Sequence, residues 1–311
     1  MAAVTNTSSY AQPGILSRIG NNQALLGYLF ILPSLIGFVV FFAVPAIRSV
    51  FISFQQWNLL TDAQYVGLAN YQQLFADERF WRSLQVTLGY VLLNIPLQTV
   101  LALGIAILME RVSNSALLRG LVILPWLMPN VVVAMLFIWL LDPTLGLINI
   151  ALQSLGLGRQ GFFGDPNQAL ASVAGVNIWR HMGYTAILIF AGLKTIPKSL
   201  YEAARVDGAS AWVQFYRITL PLLRPVLVFV LVTSVIGSFQ IFDTIAVATE
   251  GGPAGATRTI LVYIYEQVFE RRINMGIATA ACVVLFLILI SVTLVQIRFL
   301  RANQSDLAEY S

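Results

Sequence analysis

Residues 199–225 read SLYEAARVDGASAWVQFYRITLPLLRP. Ser199 is placed to cap a short helix through Val206, because a serine oxygen can accept from a free amide of a first helical turn. Gly208 can end that helix, since glycine adopts the left-handed geometry of a C-terminal cap without steric cost. A second helix is expected from Ser210 to about Leu220, and Pro221 and Pro225 then mark the entry to an apolar run. The stretch reads as a helix–turn–helix elbow. Long apolar runs flank it on both sides, which puts it at a membrane surface.

Working outward, six runs approach the roughly 20 apolar residues that a bilayer span needs. They are Ala24 to Val44, Leu84 to Leu108, Gly120 to Leu141, Ala169 to Leu193, Val226 to Val247 and Gly276 to Leu300. The third contains Pro125 and Pro129, which predict a kink. The fourth is the least apolar. Lipid offers the backbone no hydrogen bonds, so these runs read as helices. An outer-membrane barrel would show alternating segments of about ten residues instead. The expected fold is therefore an all-α integral membrane protein with six transmembrane helices. Composition agrees: of 311 residues, 58% are hydrophobic and 10% charged. That charge is too little for the surface of a soluble domain, where roughly 25% is usual. The net charge of +4 is dispersed among apolar runs, which excludes a nucleic-acid binder. The single cysteine, Cys282, excludes an internal disulfide and reads as small core filler.

No cleavable signal is evident, so residues 1–23 read as a segment ahead of a retained first helix. With the N-terminus inside, ten basic residues fall on the inner side: Arg18, Arg111, Arg119, Lys194, Lys198, Arg205, Arg217, Arg224, Arg298 and Arg301. The remaining eight of eighteen fall outside, a modest bias toward both termini in the cytoplasm. Between spans, residues 45–83 carry interface aromatics (Trp57, Tyr65, Tyr71, Trp81). Residues 248–275 begin with the turn signal Gly251-Gly252-Pro253 and continue with Ile260, Leu261, Ile264 and Val268 at helical spacing.

The elbow also carries a resemblance. Glu202-Ala203-Ala204, Asp207-Gly208-Ala209, Ile218, Leu220-Pro221 and Pro225 resemble the EAA loop of permease subunits of binding-protein-dependent ABC importers. Phe242-Asp243, Gly251-Gly252-Pro253-Ala254, Thr257, Tyr263-Ile264-Tyr265, Met275-Gly276 and Gly67-Leu68-x-Asn70-Tyr71 resemble the carbohydrate-uptake branch, with its maltose-F and glycerol-3-phosphate permeases. The resemblance spans about residues 24–300. It implies a transmembrane domain over that range, a cytoplasmic coupling loop at 194–225 and a cytoplasmic tail at 301–311. It further implies a bacterial or archaeal inner-membrane location. The implied partners are a second permease of similar fold, two ATPase subunits and an extracytoplasmic solute-binding protein. ATP and magnesium would belong to the ATPase. The implied coupling residues are Glu202, Ala203, Ala204, Asp207 and Gly208. The alternative for the elbow is an interfacial helix without a partner.

The chain itself has no Walker phosphate loop: Gly192-Leu193-Lys194-Thr195 lacks the required glycine spacing. Gly156 to Gly161 matches a dinucleotide glycine spacing but sits between membrane spans and reads as a turn. No catalytic set and no metal site is expected, and His181 is the only histidine. Polar groups within spans are costly and point to function. Span four carries Asn177, Arg180, His181 and Tyr184, and span five carries Ser234, Gly237, Ser238 and Asp243. By resemblance to the maltose-F subunit, the solute path falls on Asn177, His181, Tyr184, Ser234, Gly237, Ser238 and Ile241. His181 and Ile241 depart from the maltose permease, which leaves the carbohydrate class rather than maltose itself. Asn177, His181 and Tyr184 share a helix face, as do Ser234, Ser238 and Ile241. The bland readings are helix packing for the serines and a neighbouring-helix bond for His181. Arg180 would snorkel outward or pair with an acid, and Asp243 would be solvated or partner Arg180. Two other classes remain: an ion-gradient-driven secondary transporter, which would want buried carboxylates near the midplane, and a membrane-embedded enzyme.

Overall fold

The computed structural model describes residues 23–112, 115–270 and 273–301. Arg18, Arg271, Arg272, Asp306, Glu309 and all but one residue of each expected terminal segment (1–23 and 301–311) lie outside the described residues. The chain divides into two units, Met1–Ile52 and Ser53–Ser311.

The first unit holds α1 (Gln23–Phe38), a π-helical turn (Val39–Ala43) and α2 (Val44–Ile52). The helix thus runs past its expected end at Val44. The Val44 amide reaches back five residues to the Val39 carbonyl. Pro45, next in the chain, has no amide hydrogen for the helical ladder, and such a wide turn is one way a helix rearranges around the loss.

The second unit opens with a two-residue antiparallel pair, β1 (Gln55–Gln56) and β2 (Gln64–Tyr65), with Gln55 opposite Tyr65. The segment 45–83, expected as a long loop, is largely folded. It contains α3 (Ala69–Ala76) and leads into α4 (Glu78–Val112), a 35-residue helix that begins well before Leu84. Asn70 explains the Gly-Leu-x-Asn-Tyr pattern. Its side chain is buried and donates to the Ser53 and Gln55 carbonyls, both at 2.9 Å. Tyr71 hydroxyl shares a 2.7 Å bond with Ser53. Gly276 packs against the Gln55 carbonyl and Asn70, so the two ends of the unit meet there.

The third apolar run is broken sharply at the place where the prolines predict a kink. α5 (Ala116–Leu127) and α6 (Asn130–Leu140) meet at 91°. At about 1.5 Å per residue neither half covers a hydrocarbon core of roughly 30 Å by itself. Pro129 lacks an amide hydrogen, and Met128 before it is pushed into extended backbone (ψ 140°), so the break falls between them. After α7 (Leu147–Ser154) and a short 3-10 turn (Phe162–Gly164) comes α8 (Ala169–Lys194). By length and composition four helices are apolar enough to cross a membrane, or five if the bent pair counts as one span. α8 is long enough but too polar to join them. It is packed between α4, α5 and α11 instead of lipid, so it can carry polar groups.

α9 (Lys198–Val206) and α10 (Ala211–Gln214) form the elbow. A π turn (Phe215–Thr219) joins α10 directly to α11 (Leu220–Phe239). Pro221 and Pro225 therefore lie within a continuous helical run and do not punctuate it. Pro221 stands in the first turn of α11, where its missing donor costs least. Then follow α12 (Asp243–Ala248), α13 (Ile260–Tyr265), a π turn (Glu266–Glu270) and α14 (Met275–Arg301).

A smaller apolar cluster around Val133, Leu141 and Val176 and two large ones hold the second unit. One gathers Phe80 and Tyr90 of α4, Val173 of α8, Phe239 of α11, Ile260 and Tyr263 of α13, and Ile277 and Ala281 of α14. The other gathers Ala102 and Ala106 of α4, Ile189 and Phe190 of α8, and Leu223 and Val230 of α11. Ile260 and Ile264 are buried and Leu261 and Val268 pack against the first cluster, as their spacing predicts. The 248–275 segment is pinned by polar bonds as well. Thr87 hydroxyl accepts from the Ile260 amide at 2.8 Å, and Arg258 pairs with buried Glu266 at 2.6 Å. Tyr263 donates to Asp77 at 2.9 Å; burial and then that carboxylate push its hydroxyl pKa well above the ordinary range, so it stays a donor. Cys282 is exposed, not core filler. It lies off the side of α14 that buries Ala278 and Ala281.

α8 packs tightly on α5 at Gly183, where an added methyl would run into the Val122 carbonyl. Gly183→Ala is expected to destabilise the protein by about 2 kcal/mol or more, because backbone cannot yield as a side chain can. Thermal unfolding in detergent, with wild type alongside, measures it.

Candidate functional site

α8, α11, α12 and the α5–α6 break enclose a cavity of about 230 Å³. Asn177, His181 and Tyr184 line it from α8, and Ser234, Gly237 and Ser238 from α11. Ile241 also lines it, but from the non-helical link after Phe239, so the helix-face argument does not reach it. All seven residues expected on the path therefore meet at one cavity. Sequence reasoning passed over Gln98, Trp126, Asn130, Thr185 and Thr244, which line it too, while Gln240, one of the polar groups of span five, also lines it. The Trp126 and Tyr184 rings stack with centroids 4.6 Å apart and planes 12° from parallel.

A buried polar network ties the three helices behind this wall. Asn94 donates to Ser238 hydroxyl at 3.1 Å and to Gln98 at 3.3 Å, and Gln98 donates to Thr185 hydroxyl at 3.0 Å. Asn177 donates to Asn94 at 3.3 Å. Asn94 and Gln98 stand one helical turn apart inside an apolar run, and that spacing was the available signal. Ser238 is buried, and its hydroxyl serves the network while the residue lines the cavity.

Arg180 neither snorkels nor forms an ion pair among the described residues. Its guanidinium donates to the Trp126 carbonyl at 3.2 Å and to the Met128 carbonyl at 2.9 and 3.1 Å. The broken helix leaves such carbonyls without intrahelical partners, and a cation at a helix C-terminus also meets its dipole favourably. Charge-assisted bonds of this kind are worth about 1.5–3 kcal/mol each. Arg180 Nη1 also donates to His181 Nε2 at 2.9 Å, so Nδ1 carries the proton and donates to the Asn177 carbonyl at 3.0 Å. Both ring nitrogens of His181 are thus used within α8. Across the break Asp243, the first residue of α12, accepts from Asn130 at 2.6 Å. It bonds Asn130 in place of the expected Arg180.

The elbow is built as its sequence suggests, with one exception. α9 starts at Lys198 after Pro197, and Ser199 makes no cap bond; a proline just before the first turn already presets the entry. At the far end Gly208 has φ +77°, its amide donates to the Arg205 carbonyl (3.1 Å), and the Ala209 amide donates to Ala204 (2.8 Å). These are the two bonds of a Schellman cap. Ser210 oxygen accepts from the Val213 amide and caps the next helix. Glu202, Ala203, Asp207 and Gly208 are exposed and Ala204 is half-buried. Tyr201 anchors the inner side of α9, with its hydroxyl 2.9 Å from Thr219. The outer face presents Leu200, Val206 (88% exposed) and Trp212, an apolar surface on a polar segment. Among the described residues no three His, Cys, Asp or Glu side chains gather to hold a metal ion.

This architecture matches known proteins. The family described as "Binding-protein-dependent transport system inner membrane component" matches over residues 98–303. The trehalose/maltose transport system permease protein MalF of Thermococcus litoralis is 33% identical over 91% of this chain and 96% of that protein. The sn-glycerol-3-phosphate transport system permease protein UgpA of Yersinia pestis is 36% identical over 91% of this chain and 96% of its own length. The crystal structure of a bacterial alginate ABC transporter, in complex with alginate pentasaccharide-bound periplasmic protein, includes a chain of similar fold. That chain superposes with a TM-score of 0.80 at 27% identity, covering 93% of this chain and 97% of its own. The chain therefore belongs to the inner-membrane components of binding-protein-dependent transport systems, and is a multi-pass permease of an ABC importer.

Proposed function

We propose that this permease forms part of the translocation path for a carbohydrate, a di- or oligosaccharide or a glycerol phosphate. The observation that carries the solute class is the cavity. Its wall combines amide and hydroxyl groups (Asn177, Ser234, Gln240, Thr244) with the stacked Trp126–Tyr184 pair. Hydroxyls need the first set, and the apolar faces of a sugar ring suit the second. The permeases similar to it are named for maltose, trehalose and glycerol phosphate.

The chain takes six spans, counting α5–α6 and α8 as one each, with both termini cytoplasmic. The α9–α10 elbow is then cytoplasmic and docks on an ATPase subunit. Glu202, Ala203, Ala204, Asp207 and Gly208 are its coupling residues. Exposed apolar groups around exposed Glu202 suit a protein partner. A second permease, two ATPase subunits holding ATP and magnesium, and a binding protein complete the importer.

The test is uptake of labelled disaccharide by proteoliposomes carrying the co-expressed complex, with ion gradients collapsed by ionophores. ATP-dependent uptake is expected. Uptake that needs a gradient and ignores ATP would overturn the proposal. Glu202→Lys should leave the chain in the membrane and lower ATP-driven uptake about tenfold or more, since a reversed charge at a docking surface costs several kcal/mol. Normal uptake by that variant would remove the docking role. Tyr184→Ala should alter maximal flux or solute preference severalfold while the complex still co-purifies, because it removes one of two stacked rings.

A further inference from the structure

The α5–α6 break has a residue holding each of its sides. Arg180 grips the end of α5 through the Trp126 and Met128 carbonyls, and Asp243 grips the start of α6 through Asn130. The two hold the corner from different elements, Arg180 from α8 and Asp243 from the start of α12. Between the two gripped residues, Met128 and Asn130, lies only Pro129. The same guanidinium fixes the His181 ring, and the Trp126 side chain that stacks on Tyr184 hangs from the end of α5 that Arg180 holds. Trp126, Asn130, His181 and Asp243 all border the cavity, while Arg180 stands behind its wall.

We propose that Arg180 and Asp243 are positioning residues that clamp the broken helix from opposite sides, and that this clamp sets which solutes the cavity admits. Without Arg180, the freed carbonyls would draw the α5 end toward other donors. Trp126 and His181 would then leave the geometry that makes them one wall. Lysine cannot substitute fully. A single ammonium has no fork to reach Trp126, Met128 and His181 together. The proposal rests on the translocation reading above.

The experiment uses the reconstituted complex and two labelled sugars of different size, both delivered by the same binding protein. Its readout is the ratio of their uptake rates. A defect of folding or coupling lowers both rates in proportion and leaves the ratio alone. Arg180→Gln is expected to shift the ratio about tenfold toward the larger sugar, in the range a change of pocket shape commands. Arg180→Lys should recover only part of that shift. Asp243→Asn keeps an acceptor for Asn130 but loses the charge, and should shift the ratio in the same direction by less. An unchanged ratio in both Arg180→Gln and Asp243→Asn overturns the clamp. If Arg180→Gln fails to assemble, Asp243→Asn and Asn130→Ala decide by the same criterion.

A second measurement is independent of transport. A cysteine at Ser234, in a Cys282→Ala background, is labelled by a polar thiol reagent with and without Arg180→Gln. A faster rate in the variant supports the clamp, and equal rates count against it. If the wild-type complex imports neither sugar but the labelling rate still rises, the carbohydrate reading fails and the clamp stands.

Discussion

The structure around the cavity depends on one constraint: a helix broken within a membrane exposes carbonyls that lipid cannot satisfy. Pro129 creates that break, and Arg180 answers it from the neighbouring helix with three hydrogen bonds. The cost of burying a guanidinium and the cost of interrupting a helix offset each other at the same place. Much else follows from that pairing. α8 can carry more polar groups than the other long helices because it is packed among them. The cavity exists because α5 and α6 turn away from each other at 91° in place of filling the space as one rod.

Much of this was legible in the residues. The apolar runs, the Gly208 turn and the buried face of 260–268 depend on local chemistry, and local chemistry decides them. The seven residues expected on the path converge on one cavity because two helices with polar groups at helical spacing pack side by side. The misses share a different cause. Two prolines four positions apart in an apolar run announce a disturbance, but its angle is set by what caps the freed carbonyls, and that donor lies about fifty positions away. Arg180 looked like a charge in search of an acid, when its partners were backbone groups, which leave no mark in a sequence. Ile241 was placed on a helix face that ends at Phe239. Cys282 shows the limit of burial arguments in membranes, where an apolar neighbourhood does not imply an interior position.

The motifs in segments 45–83 and 248–275 turn out to be structural. Asn70 and Gly276 come together over the Gln55 carbonyl. Thr257 is fully buried, with its hydroxyl bonded to the Gly252 carbonyl at 2.6 Å and to Thr249 at 2.8 Å. Such residues hold a shape, and they say little about the solute.

The run from Ala211 through Phe239 has no break in its helical course, although its first turns are partly π-helical. At about 1.5 Å per residue it is a rod of roughly 40 Å. The elbow stands at one end, and Ser234 and Ser238 stand near the other. A rod of that length is a lever. A tilt of about 5° about one end carries the other through roughly 3 Å, which is the length of a hydrogen bond. Small rotations imposed at Trp212 are therefore enough to make or break every polar contact that α11 offers to the cavity.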